Sequence, residues 1–100
     1  MGQTGVEEVS ETPTEFSLSL NYPNPFNPST TIAYALPRDS YVKLEVFNLL
    51  GERVSTLRDG LQDAGYHSVT FNAKGLPSGI YFYRLNAGDF VETKKLVLMR

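Results

Sequence analysis

Val42-Lys43-Leu44-Glu45-Val46-Phe47-Asn48-Leu49-Leu50-Gly51-Glu52-Arg53-Val54 is the stretch that decides the fold. Val42, Leu44 and Val46 alternate with Lys43, Glu45 and Phe47, the period of a half-buried strand. Asn48 to Glu52 then turn the chain, and Gly51 stands where a tight hairpin needs a left-handed residue. Arg53 to Leu57 returns, with Val54 inward. This is strand, turn and strand, with no helical period.

The same alternation extends in both directions. Upstream, Phe16, Leu18 and Leu20 alternate with Ser17, Ser19 and Asn21. Ile32, Tyr34 and Leu36 alternate with Thr31, Ala33 and Ala35, until Pro37, lacking an N–H for the ladder, ends the strand. Downstream, residues 59–65 read as a polar connection and Tyr66 to Phe71 as a strand with Val69 and Phe71 on one face. Asn72 to Gly79 is dense in turn chemistry. Ile80 to Leu85 is apolar at successive positions, which predicts a central strand covered on both sides. After Asn86-Ala87-Gly88-Asp89, a last strand runs from Phe90 to Met99. Seven short strands with regular turns predict an all-β, immunoglobulin-like antiparallel β-sandwich. The Cys…Trp…Cys pattern of antibody domains is missing, and a small barrel is the alternative.

Composition narrows the function classes. Hydrophobic residues make up 41% and charged residues 20%, as in an ordinary globular domain. No apolar run approaches the ~20 residues of a membrane-spanning helix. Cysteine is absent, which excludes disulfides, thiol catalysis and thiolate metal sites. Net charge is −2, divided as −4 over residues 1–37 and +2 over residues 38–100. Neither part has the basic stripe of a nucleic-acid binder. Residues 1–15 are polar and acidic and read as a flexible linker or tag, with residues 16–100 as the folded domain. Met1-Gly2 reads as an expression start. The first fifteen residues lack the basic and apolar regions of a signal peptide, so export would have to begin upstream in a longer parent chain.

Two segments stand out. In Asn21-Tyr22-Pro23-Asn24-Pro25-Phe26-Asn27-Pro28 each proline fixes its own φ and restricts the residue before it. The asparagine side chains can bond nearby main-chain groups. The result is a stiff corner closing one end of the sandwich, with Tyr22 and Phe26 as apolar pegs. The second segment is Thr93-Lys94-Lys95-Leu96-Val97-Leu98-Met99-Arg100. Termini usually fray, so a strand-forming end reads as one that is paired or recognised. Lys94 and Lys95 fall on opposite faces, and lysines on an edge also discourage sheet-to-sheet aggregation.

Catalytic chemistry is thin. His67 is the only histidine, and its position reads as outward on an edge strand, so no Ser-His-Asp arrangement is expected. Asp59, Asp63, Asp89 and Glu92 fit no calcium-loop spacing. The chain is read as a non-enzyme without cofactor or metal. Tyr66, Tyr81 and Tyr83 leave open a sugar-stacking surface, so a carbohydrate-binding or adhesion module of a secreted hydrolase is the competing class.

The residues also carry a family likeness. Asn21 to Thr30, followed by Ile32, Tyr34 and Leu36-Pro37, resembles the opening of the C-terminal sorting domains of the type IX (Por) secretion system. Val46 to Val54 is similar to that family's hairpin. Ala64-Gly65-Tyr66-His67, Ser78-Gly79-Ile80-Tyr81-Phe82-Tyr83-Arg84-Leu85 and Thr93 to Leu98 match its later blocks in order. The departure is Phe71-Asn72-Ala73, where members often show Trp-Asp-Gly. A looser resemblance is to the Ig-like module of the flagellar hook-capping protein. The resemblance implies a secretion signal on a covalently attached N-terminal passenger, which crosses the outer membrane to the surface or beyond. It implies a translocon that reads residues 94–100 and a sortase-like cut within residues 5–15. It marks Asn21 to Pro28, Gly51, Gly79 and Tyr81 as motif positions. An exposed edge strand also leaves self-association open.

Overall fold

The computed structural model describes residues 12–99, so most of the expected linker lies outside the described residues. Of its last four positions, Pro13 is buried while Thr12, Thr14 and Glu15 are exposed. The described chain forms seven strands: β1 Ser17–Leu18, β2 Ser29–Leu36, β3 Ser40–Phe47, β4 Arg53–Gln62, β5 Gly65–Asn72, β6 Gly79–Ala87 and β7 Phe90–Leu98. They build two antiparallel sheets, β1-β2-β5 and β4-β3-β6-β7. This is an immunoglobulin-like sandwich in which the fourth strand joins the sheet of the third, sixth and seventh.

The core follows from period two. Leu18, Ile32, Tyr34, Leu36 and Phe71 face inward from one sheet. Val42, Leu44, Val46, Tyr81, Tyr83, Leu85, Leu96 and Leu98 face them from the other. Each fully buried Leu, Ile or Val contributes about 1.5–3 kcal/mol relative to exposure. Val54 and Leu57 pack against the edge of this cluster.

Four local expectations need correction. Leu20 is not inward but 69% exposed, and Asn21 is buried instead. Ser17 lies opposite Ala35 and Leu18 opposite Tyr34, yet Tyr22 lies opposite Thr31. One extra residue has slipped in, and an odd insertion exchanges the two faces. Tyr22, now outward, is 81% exposed and is no peg, whereas Phe26 is 2% exposed. The polar stretch after Leu57 is mostly strand, since β4 continues to Gln62 opposite Ser40. There Asp59 on β4 accepts a hydrogen bond from the Tyr41 hydroxyl. Finally, β6 is central but covered on one face only. Ile80, Phe82, Arg84 and Asn86 form its partly exposed outer row.

That outer face holds one buried charge. Glu45 is 5% exposed and lies 3.2 Å from Arg53 Nη1 and 3.9 Å from Arg84 Nη2. Arg84 also lies 4.5 Å over the Phe47 ring, so the carboxylate is covered by two guanidinium groups and their stems.

The β3–β4 hairpin behaves as its sequence predicts. Gly51 has φ +82°. Asn48 Oδ1 accepts from Leu50 N–H at 2.9 Å and from Glu52 N–H at 3.0 Å. This side-chain bonding pins the turn that Gly51 completes.

Candidate functional site

The last strand and the proline-rich corner form one unit. β7 lies at the edge of its sheet and pairs with β6 from Phe90–Ala87 to Leu98–Gly79. Leu96 and Leu98 are fully buried and fix the strand in the core. On the other side of β7 the corner takes over. The Phe26 N–H donates to Val97 O at 3.0 Å, and the Met99 N–H donates to Phe26 O at 3.0 Å. The Val97 N–H donates to Asn24 Oδ1 at 3.1 Å. Phe26 thereby makes a one-residue parallel bridge with Leu98, while its ring lies 6.0 Å from that of Phe71.

The corner is held by its own polar residues. Thr30 Oγ1 donates to Pro23 O at 2.8 Å. Asn21 Nδ2 reaches the same carbonyl at 3.2 Å and Thr30 Oγ1 at 3.1 Å. The Ala73 N–H donates to Pro28 O at 2.8 Å. Pro25 and Asn27 are exposed. Gly79 stands opposite Leu98 at the start of β6. Tyr81 is buried, and its hydroxyl donates to Pro77 O at 2.6 Å. Tyr83 is fully buried and donates to Ser19 O at 2.6 Å. Burial of its hydroxyl pushes its pKa up to about 12.

The two lysines diverge as strand geometry requires. Lys94 shares the inward face with Leu96 but lies at the rim, where its Nζ is 3.2 Å from Glu92 Oε2. Lys95 is exposed on the outer face, opposite Phe82. Val97 lies opposite Ile80, and Met99 is 55% exposed. Arg100 lies outside the described residues. Two shallow apolar depressions flank Ile80, one bordered by Leu49 and Leu50, the other by Val97 and Met99. Leu49 and Leu50, 66% and 82% exposed, are surface features outside the motif positions marked above. Adjacent leucines in a hairpin turn, where no core needs them, were the available signal.

Other candidates separate. His67 does not alternate outward. It shares the inward parity of Val69 and Phe71, with its ring stacked on Tyr34 at 5.3 Å. It remains at an edge, since β5 is an outer strand, and its Nε2–H donates to Asp63 O at 2.7 Å. No group of three Asp, Glu or His side chains suited to a metal occurs among the described residues. Of the three tyrosines considered for sugar stacking, Tyr81 and Tyr83 are inside the sandwich and only Tyr66, 71% exposed, is on the surface.

A family model described as "Secretion system C-terminal sorting domain" matches residues 21–99. The match begins at Asn21, where the corner turns inward, and ends at Met99, whose N–H bonds to Phe26. No curated protein matches the chain.

Proposed function

Because the chain belongs to the family of secretion-system C-terminal sorting domains, we propose that β7, held by the proline-rich corner, is the element a type IX translocon reads. Domains of this family are type IX sorting signals, and they serve proteins carried across the outer membrane to the cell surface or the exterior. The family is a sorting one rather than a catalytic one.

The observation that supports this reading is the position of the tail. β7 is an edge strand with one side in the sheet and, among the described residues, most of the other uncovered. A receptor strand can add to such an edge. Lys95 and Met99 stand exposed beside it, while Leu96 and Leu98 act from the core by fixing the strand. A passenger attached at the N-terminal side is the cargo, and a sortase component cuts within residues 5–15. Pro13 is the one buried residue of 12–15, so we place the cut before it.

The experiment is a fusion of residues 5–100 to an exported reporter in a type IX-competent host. The intact fusion reaches the surface, and deletion of residues 96–100 traps the reporter in the envelope. Normal secretion of the truncated fusion refutes the signal role.

A further inference from the structure

Among the described residues, β7 is open along most of its outer edge. The corner fills only the row opposite Val97 to Met99. Main-chain groups along a strand point alternately to its two sides. Since Val97 and Met99 bond outward to the corner, the N–H and C=O of Val91, Thr93 and Lys95 also point outward. The uncovered stretch runs from Phe90 to Leu96, and Thr93 is its midpoint.

We propose that this edge pairs with the same edge of a second copy of the chain, antiparallel, about a two-fold axis at Thr93. Symmetric pairing that joins outward-pointing residues has few registers. An axis at Glu92 sets that carboxylate against its own copy. An axis at Lys94 sets ammonium against ammonium, and it also drives Val91 into the row where Asn24 already sits. The axis at Thr93 does neither.

In that register the opposed charges are complementary. Glu92 faces Lys94 of the second copy, and symmetry repeats the contact. Phe90, whose ring already stacks on Phe16 at 5.5 Å, comes opposite the fully buried Leu96 without a clash of charge, and Val91 faces the alkyl stem of Lys95. Thr93 faces itself, a pairing that favours antiparallel sheets. Glu92 and Lys94 already form an ion pair within each chain, so association closes a ring of four charges of alternating sign. Val91, Thr93 and Lys95 of each copy exchange main-chain hydrogen bonds with Lys95, Thr93 and Val91 of the other. The interface is isologous and closed, and it covers the edge that an isolated sheet leaves exposed. A receptor strand and a second copy would compete for this edge, but the mass of the isolated chain reads the self-pairing without any translocon.

Sedimentation equilibrium on the 100-residue chain tests it. The wild type associates to twice its 11.2 kDa mass as concentration rises. Glu92→Lys and Lys94→Glu each bring like charges face to face and weaken association by about tenfold or more. An equimolar mixture of the two variants recovers the dimer, because every cross-copy contact regains opposite signs. Repair of a contact inside one chain cannot produce that recovery. Thr93→Pro removes the central outward N–H without touching the β6 ladder and likewise gives monomer. A wild type that stays monomeric at millimolar concentration overturns the proposal and leaves the edge to a strand of another protein. So do single variants that dimerise as well as wild type, or a mixture that stays monomeric.

Discussion

Asn24 and Val97 are joined by a 3.1 Å hydrogen bond from the Val97 N–H to the Asn24 side-chain oxygen, although one opens the domain and the other nearly ends it. With the Phe26 main-chain bonds on either side of Leu98, this contact turns two sequence motifs into one structural unit. The corner stiffens the tail, and the tail gives the corner a strand to lean on. The tail is therefore presented as a folded ribbon rather than a loose peptide.

Replacing Asn24 by Ala leaves the Val97 N–H without its acceptor, at a cost of about 0.5–1.5 kcal/mol. Amide exchange at Val97 should quicken, with Leu44 and Leu85 in the central strands unaffected. Phe26→Ala removes a buried ring at the same junction and should cost about 3–5 kcal/mol. Unchanged protection at Val97 in Asn24→Ala would show that the corner does not hold the tail.

Where alternation was clean, the sequence was enough to predict structure. Val42, Leu44 and Val46 showed β3, and Ile32, Tyr34 and Leu36 showed β2, because one buried face leaves a period that side-chain type reveals. Leu20 misled because the chain slips by one residue before Tyr22, and no local rule marks where a bulge falls. Asp59 to Gln62 looked like a loop because their polarity reflects an exposed edge strand, which hydrophobic period cannot detect. His67 was misplaced although its spacing from Val69 and Phe71 already put it on their face. The joining of Asn24 to Val97 was beyond local reading altogether. It depends on the two sheets bringing opposite ends of the chain together.

Gly51 gives a sharper test of the hairpin. Its φ of +82° lies in the left-handed region, where a β-branched residue is strained, although no neighbouring atom lies within 4 Å of the place its Cβ would occupy. Gly51→Val should therefore destabilise through backbone conformation alone, by about 1–3 kcal/mol. In a domain of this size each kcal/mol lowers Tm by about 4–8 °C. A melt identical to wild type would mean the turn accepts another conformation.

Tyr83 sets an alkaline limit. Its pKa rises from 10.0 to about 12 on folding, because burial disfavours the phenolate. Below pH 10 folded and unfolded chains both keep the proton, and the contribution is whole. Between 10 and 12 the unfolded chain loses it first, so stability falls as pH rises through that window. Tyr83→Phe loses the bond to Ser19 O, about 1 kcal/mol at neutral pH, yet its Tm should fall less steeply above pH 10. Tyr34, also raised by burial, leaves a residual slope. Parallel Tm–pH curves for wild type and variant would assign the alkaline loss to other groups.

Lys94 and Lys95 should separate stability from export. Lys94 lies along the rim, paired with Glu92, whereas Lys95 stands in solvent on the outer face. Partly exposed ion pairs contribute at most about 1 kcal/mol, so Lys94→Ala should lower Tm by a few degrees through its pair and its packed stem. Lys95→Ala should leave Tm unchanged. If a translocon reads the outer face, the reporter fusion carrying Lys95→Ala should reach the surface less well than wild type despite its intact fold. Lys94→Ala should be exported nearly as well as wild type. Equal export of Lys95→Ala and wild type would move recognition to the main chain of the open edge, which truncation of a side chain to Ala leaves in place.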